Sequence, residues 1–272
     1  MITSLANDRI KHLAELEQKA RTRNKEKMFV AEGFKMFEEA PIELIKEIYI
    51  EASVYAKLKE PAKKAPSDIY GRVSGKLSEC ESFGIRIETV SEEVFKKASD
   101  TMTPQGIIFT MTQMSYSLEN LLKNKGNFLI LEDIQDPGNL GTMIRTAEGA
   151  GMAGVIMTGG TVDIFNPKTI RSTMGSLYRV PFLYTGNIEE TVMKLKAAGV
   201  KVYAAHLKGE KYYDEQDYEG VSAFLIGNEG NGLTDATAAL ADVYIRIPMA
   251  GKLESLNAAV AAAILMYRAS TR

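Results

Sequence analysis

Two patterns of apolar and polar positions divide the chain. From residue 128 onward, short apolar runs of strand length alternate with longer amphipathic stretches. The runs at 128–131, 155–157, 180–183, 202–204, 223–226 and 243–247 read as strands. Helices are expected from about Leu140, from Pro167, over 188–197 and over 256–268, the last with Ser255 as its N-cap. Asn166-Pro167 is an N-cap followed by a proline at the first helical position. Such alternation predicts a parallel sheet with helices on both faces. Before residue 113 the pattern differs. Leu5, Ile10, Leu13 and Leu16 on a polar background predict an amphipathic helix within 4–23. Strands at 28–31, 45–50, 85–90 and 106–111 alternate with helices opening at Glu32-Gly33, at 54–59 and at 91–99, with a Pro/Lys turn at 61–66 and a helical stretch after it. This is the pattern of a small α/β sandwich. The polar stretch 113–125 reads as a linker with one helical turn at 117–122. The expected organisation is therefore 1–112, a linker at 113–126, and a larger domain at 127–272.

Composition narrows the class. A hydrophobic content of 45% with 25% charged residues fits a globular protein with a sizeable core. Lys plus Arg total 33 against 35 Asp plus Glu, a net charge of −2. A nucleic-acid partner therefore requires local segregation of positive charge. Residues 19–27, KARTRNKEK, supply such a cluster, and Arg21 and Arg23 are its candidate phosphate ligands. Arg171 and Arg179 are further candidates. The single Cys80 excludes an internal disulfide and a cysteine-built metal cluster. No apolar run is long enough to span a membrane, and the first residues lack a signal-peptide core, so a cytoplasmic protein is expected.

Chemistry concentrates where strands end. The run at 223–226 exits into Gly227-Asn228-Glu229-Gly230-Asn231-Gly232. Glycine there permits positive φ and close approach of a ligand. The run at 244–247 exits through Ile247-Pro248-Met249 to Ser255-Leu256-Asn257 and an alanine-rich helix. Upstream, the run at 128–131 leads through Asn139 and Gly141 to Arg145. The spacing of Gly138 and Gly141 does not match a dinucleotide fingerprint, and no Gly-Lys-Ser/Thr phosphate loop is present. A nucleotide-dependent oxidoreductase is thereby disfavoured.

In order, these three pieces resemble the SpoU (TrmH-like) family of RNA ribose 2'-O-methyltransferases, in the SPOUT superfamily. The matching positions are Asn139, Gly141 and Arg145; then Gly227 to Gly232; then Ile247-Pro248-Met249 and Ser255-Leu256-Asn257. The short motifs Phe29-Val30-Ala31-Glu32-Gly33 and Pro104-Gln105-Gly106-Ile107 resemble the ribosomal-protein-like substrate domain of many members.

The resemblance implies an S-adenosylmethionine-dependent enzyme with a trefoil-knotted C-terminal domain, a homodimer built through that domain, and ribosomal or transfer RNA as substrate. It places the cofactor against Thr158, Gly159, Gly227, Asn228, Gly230, Ile247, Met249 and Leu256. It makes Arg145 catalytic, with Asn139, Glu229, Ser255 and Asn257 around the reacting centre. No metal is required, because the sulfonium already activates the methyl group. A catalytically silent RNA-binding protein on the same fold is the alternative, and the intact Arg145, Glu229, Ser255 and Asn257 disfavour it.

Overall fold

The computed structural model describes residues 1–60 and 68–270, so the expected turn at 61–66 lies outside the described residues. The chain forms two compact units. One comprises 1–114 with 165–178, the other 115–164 with 179–272.

The first unit opens with α1 (Asp8–Gln18), capped by the Asn7 side chain on the Arg9 N–H. Its apolar stripe, Ile10, Leu13 and Leu16, is buried, as the spacing requires. The single helix expected over 4–23 instead breaks at the extended Lys19, and 19–27 is mostly a second helix, α2 (Ala20–Glu26). Lys27, in the left-handed region at φ 55°, ends it. There follow β1 (Met28–Glu32), α3 (Phe34–Glu39), β2 (Ile45–Glu51), α4 (Ala52–Lys59), α5 (Ile69–Ser82), β3 (Arg86–Val90), α6 (Glu92–Ala98) and β4 (Ile107–Thr112). The sheet order is β1-β4-β2-β3, with β4 antiparallel to both neighbours and β2 parallel to β3. The two short motifs meet across this sheet. The Gly33 N–H donates to the Ile107 carbonyl at 3.0 Å. The Gln105 side chain accepts from the Phe34 N–H at 2.7 Å. Gly106 sits at φ +85°, where a Cβ would come within 2.5 Å of Val54.

The second unit begins with α7 (Leu118–Leu122), held by a Ser117/Asn120 capping box. Leu118 and Leu121 lie in the core with Phe128 and Ile130, so part of the expected linker is packed structure. Then come β5 (Phe128–Leu131), α8 (Pro137–Gly149) and β6 (Gly154–Thr158). The next helix, α9 (Pro167–Thr173), belongs to the first unit. There the rings of Phe165 and Phe29 pack at a tilt of 33°, with centroids 4.8 Å apart. The second unit resumes with β7 (Phe182–Thr185), α10 (Ile188–Ala197), β8 (Lys201–Ala205), β9 (Lys211–Tyr212), β10 (Ser222–Ile226), α11 (Asp235–Ala238), β11 (Val243–Arg246) and α12 (Ala258–Ser270). The sheet runs β7-β6-β5-β10-β8-β11-β9. Every pair in it is parallel. The central strands β5 and β10 are fully buried, which is why they read as unbroken apolar runs. β6 and β10 flank β5, so the exits of these three strands come together at one edge of the sheet. In open parallel sheets that edge is where ligands bind.

Candidate active site

Helix α8 positions the first motif. Its N-cap is Asp136, whose side chain accepts from the Asn139 N–H at 2.8 Å, and Pro137 follows as the first helical residue. The helix therefore starts three residues earlier than the expected Leu140. The Asp-Pro pair carried that signal in the sequence.

Glu229, in the loop after β10, is the hub of the site. Its carboxylate accepts from the Gln135 N–H at 3.0 Å, the Asp136 N–H at 3.1 Å and the Asn139 amide at 3.0 Å. Partial burial raises its pKa, but the Asn139 amide and the backbone donors outweigh that, and the net shift is below the ordinary value. A carboxylate can only accept, so the Asn139 NH2 group must face Glu229. Its carbonyl oxygen is thereby left to accept from the Asn257 amide at 3.0 Å. The Asn257 oxygen in turn accepts from the N–H groups of Ala259 and Val260, at 2.9 and 3.2 Å. A directional relay thus runs from the first turn of α12 through Asn257 and Asn139 to Glu229. The cap of α12 is Asn257, not the expected Ser255, which lies exposed in the preceding loop.

Arg145 lies six residues beyond Asn139 on α8, about 9 Å along the axis. It is exposed, and no hydrogen bond or ion pair engages it among the described residues. The relay thus unites Asn139, Glu229 and Asn257, while Arg145 and Ser255 make no bond to it.

The expected cofactor loops differ in what their glycines do. Gly227 is buried, and a Cβ there would lie 2.1 Å from backbone atoms of both Gly232 and Leu233. Its small size therefore serves the loop's own closure, which is fastened by the paired Asn228 and Gly232 backbones at 3.1 and 2.9 Å. Of Gly227, Gly230 and Gly232, only Gly232 has a positive φ, +69°. Gly159, by contrast, has no heavy atom within 4 Å of its would-be Cβ, and Gly230 has only the Asn228 oxygen, at 3.5 Å. Open space beside exposed glycines after β6 and β10 fits a ligand held largely by backbone. Ile247, Met249 and Leu256 are half-buried in the loop between β11 and α12.

Sequence reasoning missed Glu132, Asp133, Gln135 and Asp136. Glu132 is buried and accepts from the Thr234 N–H and hydroxyl, each at 2.8 Å, and from the Thr237 hydroxyl. It thus ties β5 to the start of α11. A buried acid directly after an apolar strand was the available signal.

Three of the four expected RNA ligands are engaged elsewhere. Arg23 is only 3% exposed, and its guanidinium donates to the Leu16 and Glu17 carbonyls at 2.8 and 2.9 Å. It satisfies carbonyls that α1 leaves unpaired at its C-terminal end, so it is not a phosphate ligand. Arg171, on α9, is paired with Asp100 at 2.7 Å. Arg179 pairs with Glu148. Arg21 and Lys25, four residues apart on α2, are exposed.

The chain has relatives among known proteins. Residues 126–267 match the family model described as the SpoU rRNA methylase family, and residues 7–108 match the MRM3-like substrate binding domain. The chain is 36% identical over 268 residues to the 23S rRNA (guanosine(2553)-2'-O)-methyltransferase RlmP of Bacillus subtilis, covering 98% of this chain and 97% of that protein. It is 29% identical over 230 residues to the 23S rRNA (guanosine-2'-O-)-methyltransferase RlmB of Bordetella pertussis, with 83% and 88% covered. The crystal structure of an AdoMet-bound rRNA methyltransferase from Sinorhizobium meliloti superposes with a TM-score of 0.83 at 31% identity, covering 98% of this chain and 96% of that one. On the motifs, the fold and these matches, the chain belongs to the SpoU rRNA methylase family.

Proposed function

We propose that this chain is an S-adenosylmethionine-dependent methyltransferase that methylates a ribose 2'-hydroxyl in 23S ribosomal RNA, on a guanosine. The observation that carries the reading is Arg145. It is an exposed guanidinium without a partner among the described residues, on a helix whose first turn is fixed by Glu229 and Asn257. The names of the two relatives support the substrate.

The cofactor, when bound, supplies a methyl group already activated by its sulfonium, and the transfer needs no metal. The open space beside Gly159 and Gly230, with Thr158, Gly227, Asn228, Ile247, Met249 and Leu256 around it, is the proposed pocket. The protein's part is positioning and charge stabilisation. A guanidinium carries donors and no acceptor, so Arg145 binds the phosphate beside the acceptor ribose and stabilises the developing oxyanion rather than taking the proton. Glu229 and Asn139 hold α8, which carries it, and Ser255 and Asn257 hydrogen-bond near the acceptor. Residues 1–112 select the RNA and 127–272 perform the transfer, with 113–126 between them. The C-terminal domain is knotted and forms a homodimer, and a ribosomal substrate places the enzyme in the cytoplasm.

The test pairs two variants. Arg145→Ala lowers the single-turnover rate on 23S RNA by roughly 10²–10³-fold while cofactor affinity holds. Gly159→Val weakens cofactor binding in calorimetry, since a Cβ there has no heavy atom within 4 Å and the side chain extends into the space proposed for the ligand. Gly227→Val is unsuitable, because it collides with the loop's own backbone. A wild-type protein that binds 23S RNA but transfers no methyl group establishes the silent RNA-binding alternative instead.

A further inference from the structure

Asp133, two residues past the end of β5, joins the loops that follow three different strands. Its N–H donates to the Thr158 hydroxyl oxygen at 2.9 Å, and that hydroxyl donates back to the Asp133 carboxylate at 2.6 Å. Its carbonyl oxygen accepts from the Asn228 amide at 2.8 Å and from the Gln135 amide at 3.1 Å. The Gln135 amide also donates to the Gly160 carbonyl at 2.6 Å. One residue thereby fastens the loop after β6 and the loop after β10 to the exit of the strand between them. The backbone of Asp133 is left-handed, at φ 54°, a region that aspartate and asparagine enter more readily than other residues with a side chain. Gly160 is packed against the carboxylate, and a Cβ there would stand 2.2 Å from its Oδ1.

We propose that Asp133 is a positioning residue that sets cofactor affinity, by holding Thr158-Gly159-Gly160 and Asn228 at a fixed separation, with no direct part in methyl transfer. The proposal rests on the assignment of these loops to the cofactor. Of the paired bonds to Thr158, the backbone one survives most substitutions at 133, as does that from Asn228, whereas the one from the Thr158 hydroxyl needs the carboxylate. The charged half of that pair is the stronger.

The probe is S-adenosylhomocysteine, measured by calorimetry on the full chain. Asp133→Gly keeps the backbone geometry and removes the carboxylate, and roughly tenfold weaker binding is expected. Asp133→Asn retains an acceptor oxygen and tolerance for positive φ, and it is expected to restore most of the affinity. Gly160→Ala alone weakens binding because its methyl displaces the carboxylate. Added to Asp133→Gly it costs nothing further, since the obstructing atom is gone. The rate at saturating cofactor falls much less than the affinity. In the cofactor-free protein, amide exchange at Thr161 and Val162, bonded to Thr158 and Ile134 carbonyls, rises in Asp133→Gly and not in Asp133→Asn. Equal cost of Gly160→Ala in both backgrounds, or wild-type affinity in Asp133→Gly, overturns the proposal. A wild-type chain that binds no S-adenosylhomocysteine, while the two variants keep the exchange pattern, instead refutes the cofactor assignment and leaves the fastening of the loops intact.

Discussion

Glu17 and Glu229 are carboxylates whose surroundings push them in opposite directions. Glu229 is held ionised by the Asn139 amide and backbone N–H groups, against a smaller effect of burial than the donors together supply. Burial, and then the neighbouring carboxylates of Glu32 and Asp100, push Glu17 from 4.5 up to about 8, with Arg171 pulling the other way. The sign of the consequence follows from linkage. Between 4.5 and about 8 the folded state holds a proton at Glu17 that the unfolded chain has released, so stability falls as pH rises through that window. Glu17→Gln should therefore flatten the loss of melting temperature across that window. It should raise the melting temperature at pH 8 by about 2 °C or more, as read by calorimetric scans. Asn139, Glu229 and Asn257 were legible as motif positions of the family the chain resembles, although the hydrogen bonds that join them were not. Glu17 was not, because its neighbours come from β1, the loop before β4 and α9, which only the fold assembles.

At the scale of elements, α2 shows how charge alone misleads. Arg21, Arg23 and Lys25 read alike along the sequence, yet α2 turns Arg23 inward onto the end of α1 and leaves Arg21 and Lys25 in solvent. Their substitutions should separate cleanly. Arg23→Ala leaves buried carbonyls unsatisfied and should cost about 1–3 kcal/mol in denaturant unfolding. Replacing Arg21 and Lys25 together by Ala should leave that midpoint unchanged and reduce the salt slope of RNA binding by about 2. Periodicity found the buried stripe of α1 but not the break at Lys19, since nothing in the pattern of Leu13 and Leu16 marks where the backbone turns extended. The start of α12 was misplaced for a related reason. Ser255 and Asn257 are both good caps, and the choice is made by Asn139, 118 residues away.

For the whole molecule, the alternation of runs made the parallel sheet legible, but not the strand order, because β8 to β11 are not sequential in space. Nor did it show that 165–178 packs with the first unit. Helix α12 carries the apolar run Ile264-Leu265-Met266. In the structure Leu265 and Met266 are buried, while Val260 and Tyr267 remain 48% and 50% exposed. The proposed dimer would use these two residues. Light scattering at micromolar concentration should give twice the chain mass, and Val260→Asp with Tyr267→Asp should shift it to the monomer without loss of helix content.

The relay that orients Asn139 spans 118 residues of sequence. A ribosome adds about 5–20 residues per second, so roughly 6–24 s of translation separate the emergence of its two amides. During that interval α8 and then Glu229 are available, but nothing yet fixes the second face of the Asn139 amide. The site is therefore a late event in the life of the nascent chain. An unfinished copy whose first 114 residues are already made still lacks the last contact that orients Asn139.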